Sequence, residues 1–89
     1  MSIHAPIRPK SPQAIGLALT KERRYQDRKY GSPTKRGLTV PQYLEIARAE
    51  LDEAQASAAD GDEENALREL LQVAAVAVAC LEQHGVVER

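Results

Sequence analysis

The chain of 89 residues holds one cysteine, Cys80. An intrachain disulfide is therefore excluded, and with no CxxC or Cys/His spacing there is no zinc signature either. Long apolar runs are also missing. The longest, Val73 to Leu81, has nine residues, against the roughly 20 that a membrane span needs. The opening "MSIHAPIRPK" lacks the apolar stretch of a secretion signal, so a soluble, cytosolic chain with no membrane partner is expected. No strand pattern, internal repeat, helix-turn-helix spacing or aromatic platform is evident. One small domain of this length seldom builds a sufficient core alone, which leaves oligomerisation as the expected reinforcement.

What is present is an uneven distribution of charge. Residues 1 to 44 carry nine Lys/Arg against two acids, and residues 45 to 89 carry three against eleven, so a net charge of −1 conceals a basic half and an acidic half. A basic half can face phosphates and an acidic half can gather a divalent cation.

Residues 1 to 10, with Pro6 and Pro9 and no periodicity, read as a flexible N-terminal arm. Ser11 can cap a helix that begins at Pro12 and runs to Tyr30, where Gly31 and Pro33 stop it. Its apolar residues Ile15, Ala18 and Leu19 lie in the first half, which is the half expected to be buried. After the loop "GSPTKRGLT", Thr39 and Gln42 form a capping-box pattern, so a second helix is expected from about Val40 to Ala59. Leu44, Ala47, Leu51, Ala54 and Ala58 recur along it as one apolar stripe. Asp60-Gly61 breaks the chain, Asp60 or Asp62 can cap a third helix, and that helix continues to Gly85, leaving residues 86 to 89 as a tail. The third helix is apolar all round from Val73 to Leu81, and two short helices cannot cover such a rod. The fold class expected is all-α, a three-helix antiparallel bundle packing through its third helix as a homo-oligomer, dimer or tetramer.

Within the second helix Glu50 and Glu53 fall about 60° apart on the flank beside the apolar stripe. The same construction sets Glu69 with Gln72 and Val76 on one flank of the third helix. Two antiparallel helices can thus aim Glu50, Glu53 and Glu69 at one point, where a hard cation with oxygen ligands, Mg²⁺ or alternatively Mn²⁺, relieves their mutual repulsion.

Taken in order and spacing, "ERRYQDRKYG", "YLEIARAELDEAQAS" and "ALRELLQVAAVAVACLE" resemble the "ERxxQxxKWG", "ExxE" and "RELxQVAAVAxAWxE" segments of the MazG-like group. These are short phage and bacterial proteins of the all-α NTP pyrophosphohydrolase superfamily, and the likeness covers about residues 20 to 83. The resemblance implies an all-α oligomer that cleaves a (d)NTP to (d)NMP and pyrophosphate with Mg²⁺, in the cytoplasm of a bacterium or a phage-infected host. Carried over by position, Glu50 and Glu53 match the ExxE ligands and Glu69 the glutamate of the superfamily's ExxD. Gln72 stands where the wider superfamily has Asp, and a neutral amide binds Mg²⁺ less strongly than a carboxylate. Tyr30 stands where relatives have Trp and can stack on a base. Glu53 is the candidate to accept the proton of the attacking water. Gln72, Lys29, Arg23, Gln26, Tyr30 and Lys35 are the nucleotide-binding candidates, the cations for phosphate and Gln26 for a base edge.

Two other functions fit the same residues. A nucleotide-binding protein without turnover would keep the pocket and lose the chemistry, as Gln72 permits. A basic helical protein that binds nucleic acid or another partner through Lys21 to Arg36 is the third, against which the acidic half would repel DNA.

Overall fold

A computed structural model describes residues 8–32, 35 and 37–89. Among them three long helices follow one another: α1 Pro12–Tyr30, α2 Val40–Ala59 and α3 Glu63–His84. The described chain is all-α. Each boundary has the local cause that the sequence supplies. Ser11 Oγ accepts the Ala14 N–H at 3.1 Å, with Pro12 in the first turn. Thr39 and Gln42 exchange both bonds of a capping box, Gln42 N–H to Thr39 Oγ1 at 3.2 Å and Thr39 N–H to Gln42 Oε1 at 2.8 Å. Asp62 Oδ1 accepts the Asn65 N–H at 3.1 Å, and Glu63 and Glu64 place negative charge in the first turn of α3, where the helix dipole favours it. Gly31 ends α1 with φ 86°, in a region that costs glycine little.

The expected arm lies largely outside the described residues. Of it, Arg8 pairs with Glu63 at 2.6 Å, both exposed. Pro33, Thr34 and Arg36 of the loop lie outside as well.

The short connection at 60–62 folds α2 back along α3, and the two helices pack along one another; α1 packs on α3. The α2–α3 seam follows a heptad. Tyr43, Ala47, Glu50, Ala54 and Ser57 turn inward from α2, and Asn65, Glu69, Gln72, Val76, Ala79 and Gln83 are buried or half-buried along α3 at spacings of three and four. The apolar core is at the Tyr43 end, where Tyr43, Val76 and Ala79 meet Leu38, Ala47 and Cys80. Tyr43 Oη donates to Gln83 Oε1 at 2.9 Å, Gln83 Nε2 donates to the Leu38 carbonyl at 2.8 Å, and His84 Nε2 lies 2.8 Å from the same carbonyl. The last turn of α3 thereby holds the entry to α2.

Two expectations from the sequence are corrected. The stripe on α2 is rotated: Leu44 and Leu51 are exposed, and Tyr43 and Glu50 face inward in their place. On α1 the buried residues are Arg23 and Gln26 of the second half, whereas of the expected Ile15, Ala18 and Leu19 the first is exposed and the other two are only half-buried. The reason is register. Arg23 meets Glu82 near the end of α3, so the residues before it, rising about 1.5 Å each, run past the end of the helix they would need to pack on.

The accessible surface is 6998 Å². Ile15, Leu17, Leu44, Leu67, Leu70 and Leu81 are all exposed. No helix of the described residues is long and apolar enough to cross a membrane.

Ala75 and Ala79 have no exposed surface, which leaves no volume for a longer side chain. Ala79→Leu is expected to lower stability by about 1–3 kcal/mol through overpacking, read as a drop in the urea midpoint, with Ala74→Leu on the exposed face as the silent control.

Candidate functional site

Two adjoining cavities open where α1 lies beside the seam. The larger, about 270 Å³, is lined by Gln26, Tyr30, Tyr43, Ile46, Glu50 and Val76. The smaller, about 140 Å³, is lined by Glu22, Tyr25, Gln26, Lys29, Tyr30, Glu50 and Gln72. Gln26, Tyr30 and Glu50 belong to both. Helical spacing brings this about: Glu22, Gln26, Lys29 and Tyr30 share one face of α1 at steps of three and four.

Five of the residues singled out in the sequence therefore meet at one place: Gln26, Lys29, Tyr30, Glu50 and Gln72. Lys29 Nζ stands 5.2 Å from the Tyr30 ring centre and 5.9 Å from that of Tyr25, within cation–π range of both. Lys35 is exposed and lines neither cavity. Arg23 lines neither as well. Its Nε donates to Glu82 Oε1 at 2.6 Å, its Nη2 to Asp27 Oδ1 at 2.9 Å and its Nη1 to Gln26 Oε1 at 3.1 Å, so it reaches the cavities through Gln26.

The acidic residues divide. Glu50 Oε2 is buried and has no hydrogen-bond partner. Burial pushes the Glu50 carboxyl above its ordinary value, and the negative charges of Glu53, Glu69 and Glu22 push it the same way. A lone buried oxygen in a negative field is the kind of group that a hard cation satisfies. Glu69 is half engaged: its Oε1 accepts from Ser57 Oγ at 2.5 Å and from Asn65 Nδ2 at 2.8 Å. Asn65 Nδ2 also donates to Ser57 Oγ at 2.9 Å, and its Oδ1 accepts from Arg68 Nη1 at 3.0 Å. Glu53 is exposed. As the side chains stand, no three acidic, His or Cys groups among the described residues are arranged to hold a metal ion. The donor set suits Mg²⁺ chemically, since its oxygens are hard, and Glu50 supplies one that nothing else satisfies.

Sequence reasoning missed Glu22, Tyr25 and Ile46 as cavity residues. Glu22 stands four residues before Gln26, and this spacing was the signal available for it. Ile46 shares the flank of Glu50 and was legible on the same ground.

Compared with family models, with curated proteins and with solved structures, the chain matches none.

The raised pKa of Glu50 has a sign that can be checked. The folded chain holds this proton more tightly than the unfolded one. The resulting stability is complete below the ordinary carboxylate range and is lost as pH rises through the raised value. Replacing the ionised group with an amide removes a buried unpaired charge. Glu50→Gln is thus expected to stabilise the protein at neutral pH by on the order of 1 kcal/mol, and the gain should vanish near pH 4, measured as the difference in Tm between the two proteins across pH.

Proposed function

We propose that the chain is a MazG-like nucleoside triphosphate pyrophosphohydrolase of the bacterial or phage-infected cytoplasm, cleaving a (d)NTP to the monophosphate and pyrophosphate. The observation that carries this reading is the buried, partnerless Glu50 oxygen in a cavity that also presents Lys29, Tyr30, Gln26 and Gln72. A carboxylate so placed is costly to the fold and is explained by a ligand that needs it.

Glu50, Glu53 and Glu69 would hold Mg²⁺, with Mn²⁺ as the alternative ion, once their side chains turned toward one another, and the cation would supply neutralisation of charge on the phosphate oxygens. Asn65 and Ser57 fix the direction of the Glu69 carboxylate from behind. Tyr30 stacks on the base. Lys29 meets phosphate as a cation. Glu53, on the wet side of Glu50, takes the proton of the attacking water. The specific observation favouring the second reading, a nucleotide binder without turnover, is Gln72: a neutral amide lines the cavity where a further acid would strengthen metal binding.

A second copy of the chain covers the exposed apolar surface. The groove between α2 and α3 lined by Tyr43, Leu44, Ala47, Ala77, Cys80 and Leu81 is almost wholly apolar.

Incubating the protein with a panel of NTPs and dNTPs in Mg²⁺ should release pyrophosphate, with a fall of about 100-fold or more in Glu53→Gln. Thermal stabilisation by nucleotide without release would select the binder. In sedimentation the native chain should run as a dimer or tetramer and Leu81→Glu as a monomer; a monomeric native chain would remove the second copy from the proposal.

A further inference from the structure

Gln26 is buried, 8% exposed, and borders both cavities. Its amide cannot choose which end it offers them. Arg23 Nη1 donates to Gln26 Oε1 at 3.1 Å, and a guanidinium has donors only. Turning the amide over would set its NH₂ against guanidinium N–H, with no acceptor on either side. Nor can Arg23 swing aside, because its other nitrogens are held by Glu82 at 2.6 Å and Asp27 at 2.9 Å. The oxygen is therefore spent, and the Nε2 end, which makes no hydrogen bond among the described residues, is the one left for the cavity.

The space before that donor is walled by Tyr30, Tyr43, Ile46, Val76 and the Glu50 carboxyl, and its volume is about 270 Å³. This lies just under the usual range for small-molecule sites, about 300–1,000 Å³, so the cavity takes one flat ring system and leaves the rest of a larger ligand outside.

From this we infer that the cavity selects a planar heterocycle that turns a ring carbonyl toward Gln26, and discriminates against the ring of the same shape with an amino group there. Arg23 is the positioning residue that sets the preference without touching the ligand. The inference deepens the nucleotide reading, on which it rests for the ring being a base. An amino group facing Nε2 places donor against donor in a buried site, and such a site rejects a mismatched ring more strongly than an apolar wall does.

The test needs neither metal nor phosphate. Uridine against cytidine, and inosine against adenosine, are titrated into the full chain by ligand-observed NMR. In whichever pair binds, the oxo member should bind about tenfold more tightly or better. Gln26→Glu keeps a partner for Arg23 but has acceptors only, and should invert the preference. Arg23→Lys loosens the clamp and should bring the ratio toward one, whereas a merely structural role would weaken both members alike. Should either variant fail to fold, the wild-type ratio and the Gln26 side-chain amide resonances decide, since these should move with the oxo nucleoside and not with its amino counterpart. Equal affinities, a preference for the amino member, a ratio unmoved in a folded variant, or no binding of either pair overturns the inference. Pyrophosphate release is scored separately: selective binding without release leaves this inference standing and removes hydrolysis, and release without selectivity does the reverse.

Discussion

Everything on α1 depends on how Arg23 fastens that helix to α3. The helix has little apolar surface facing its neighbour, and its two buried side chains are both polar, Arg23 and Gln26. Burial works most strongly against the Arg23 charge, yet the hydrogen bonds and charges of Glu82 and Asp27 together outweigh it and hold its pKa above the ordinary value. The guanidinium end is dry, while the two carboxylates remain about half in water. Much of their desolvation cost is thereby avoided, which lets a pair of this kind contribute where a fully buried one often does not. Glu22, Gln26, Lys29 and Tyr30 lie within two turns of this point. A shift of α1 on α3 would carry the whole cavity wall with it.

The seam between α2 and α3 shows the complementary logic. At one end it is built as a core, from Tyr43, Val76 and Ala79. Toward the other it is built from Glu50, Gln72, Ser57, Asn65 and Glu69, at positions where the heptad would ordinarily place leucine. Leu44 and Leu51 of α2 and Leu67, Leu70 and Leu81 of α3 face outward instead. The folding energy of a lone chain is lower for this, because apolar burial is the main favourable contribution and polar groups in a seam contribute little net stability. An arrangement so costly to a small domain is consistent with a site inside the seam and a second chain on the outside.

The helices were legible in the sequence because their ends are decided locally. A serine, a threonine paired with glutamine, and an aspartate each satisfy N–H groups within three residues of themselves, and nothing distant alters that. Which face turns inward was less legible, because it depends on register between helices. The periodic leucines of α2 pointed to one face, and Tyr43 with its hydroxyl bonded to Gln83 took the neighbouring one. Gln26, Lys29, Tyr30, Glu50 and Gln72 were named singly and line one cavity, whereas the meeting expected of Glu50, Glu53 and Glu69 is not formed by the side chains as they stand. The part played by Arg23 was not legible. A basic residue in a charged stretch looks like a phosphate contact until its three partners are known, and two of them lie within four residues while the third is 59 positions away.

Among the described residues an arginine twice faces the oxygen of an amide one turn away on the same helix: Arg23 that of Gln26, and Arg68 that of Asn65. In each case a cation with nothing to accept turns a two-faced group into a one-faced one, aiming NH₂ into an empty space in the first and onto a carboxylate in the second. Lysine, with a single mobile ammonium, could supply the charge at these positions but not the fixed direction.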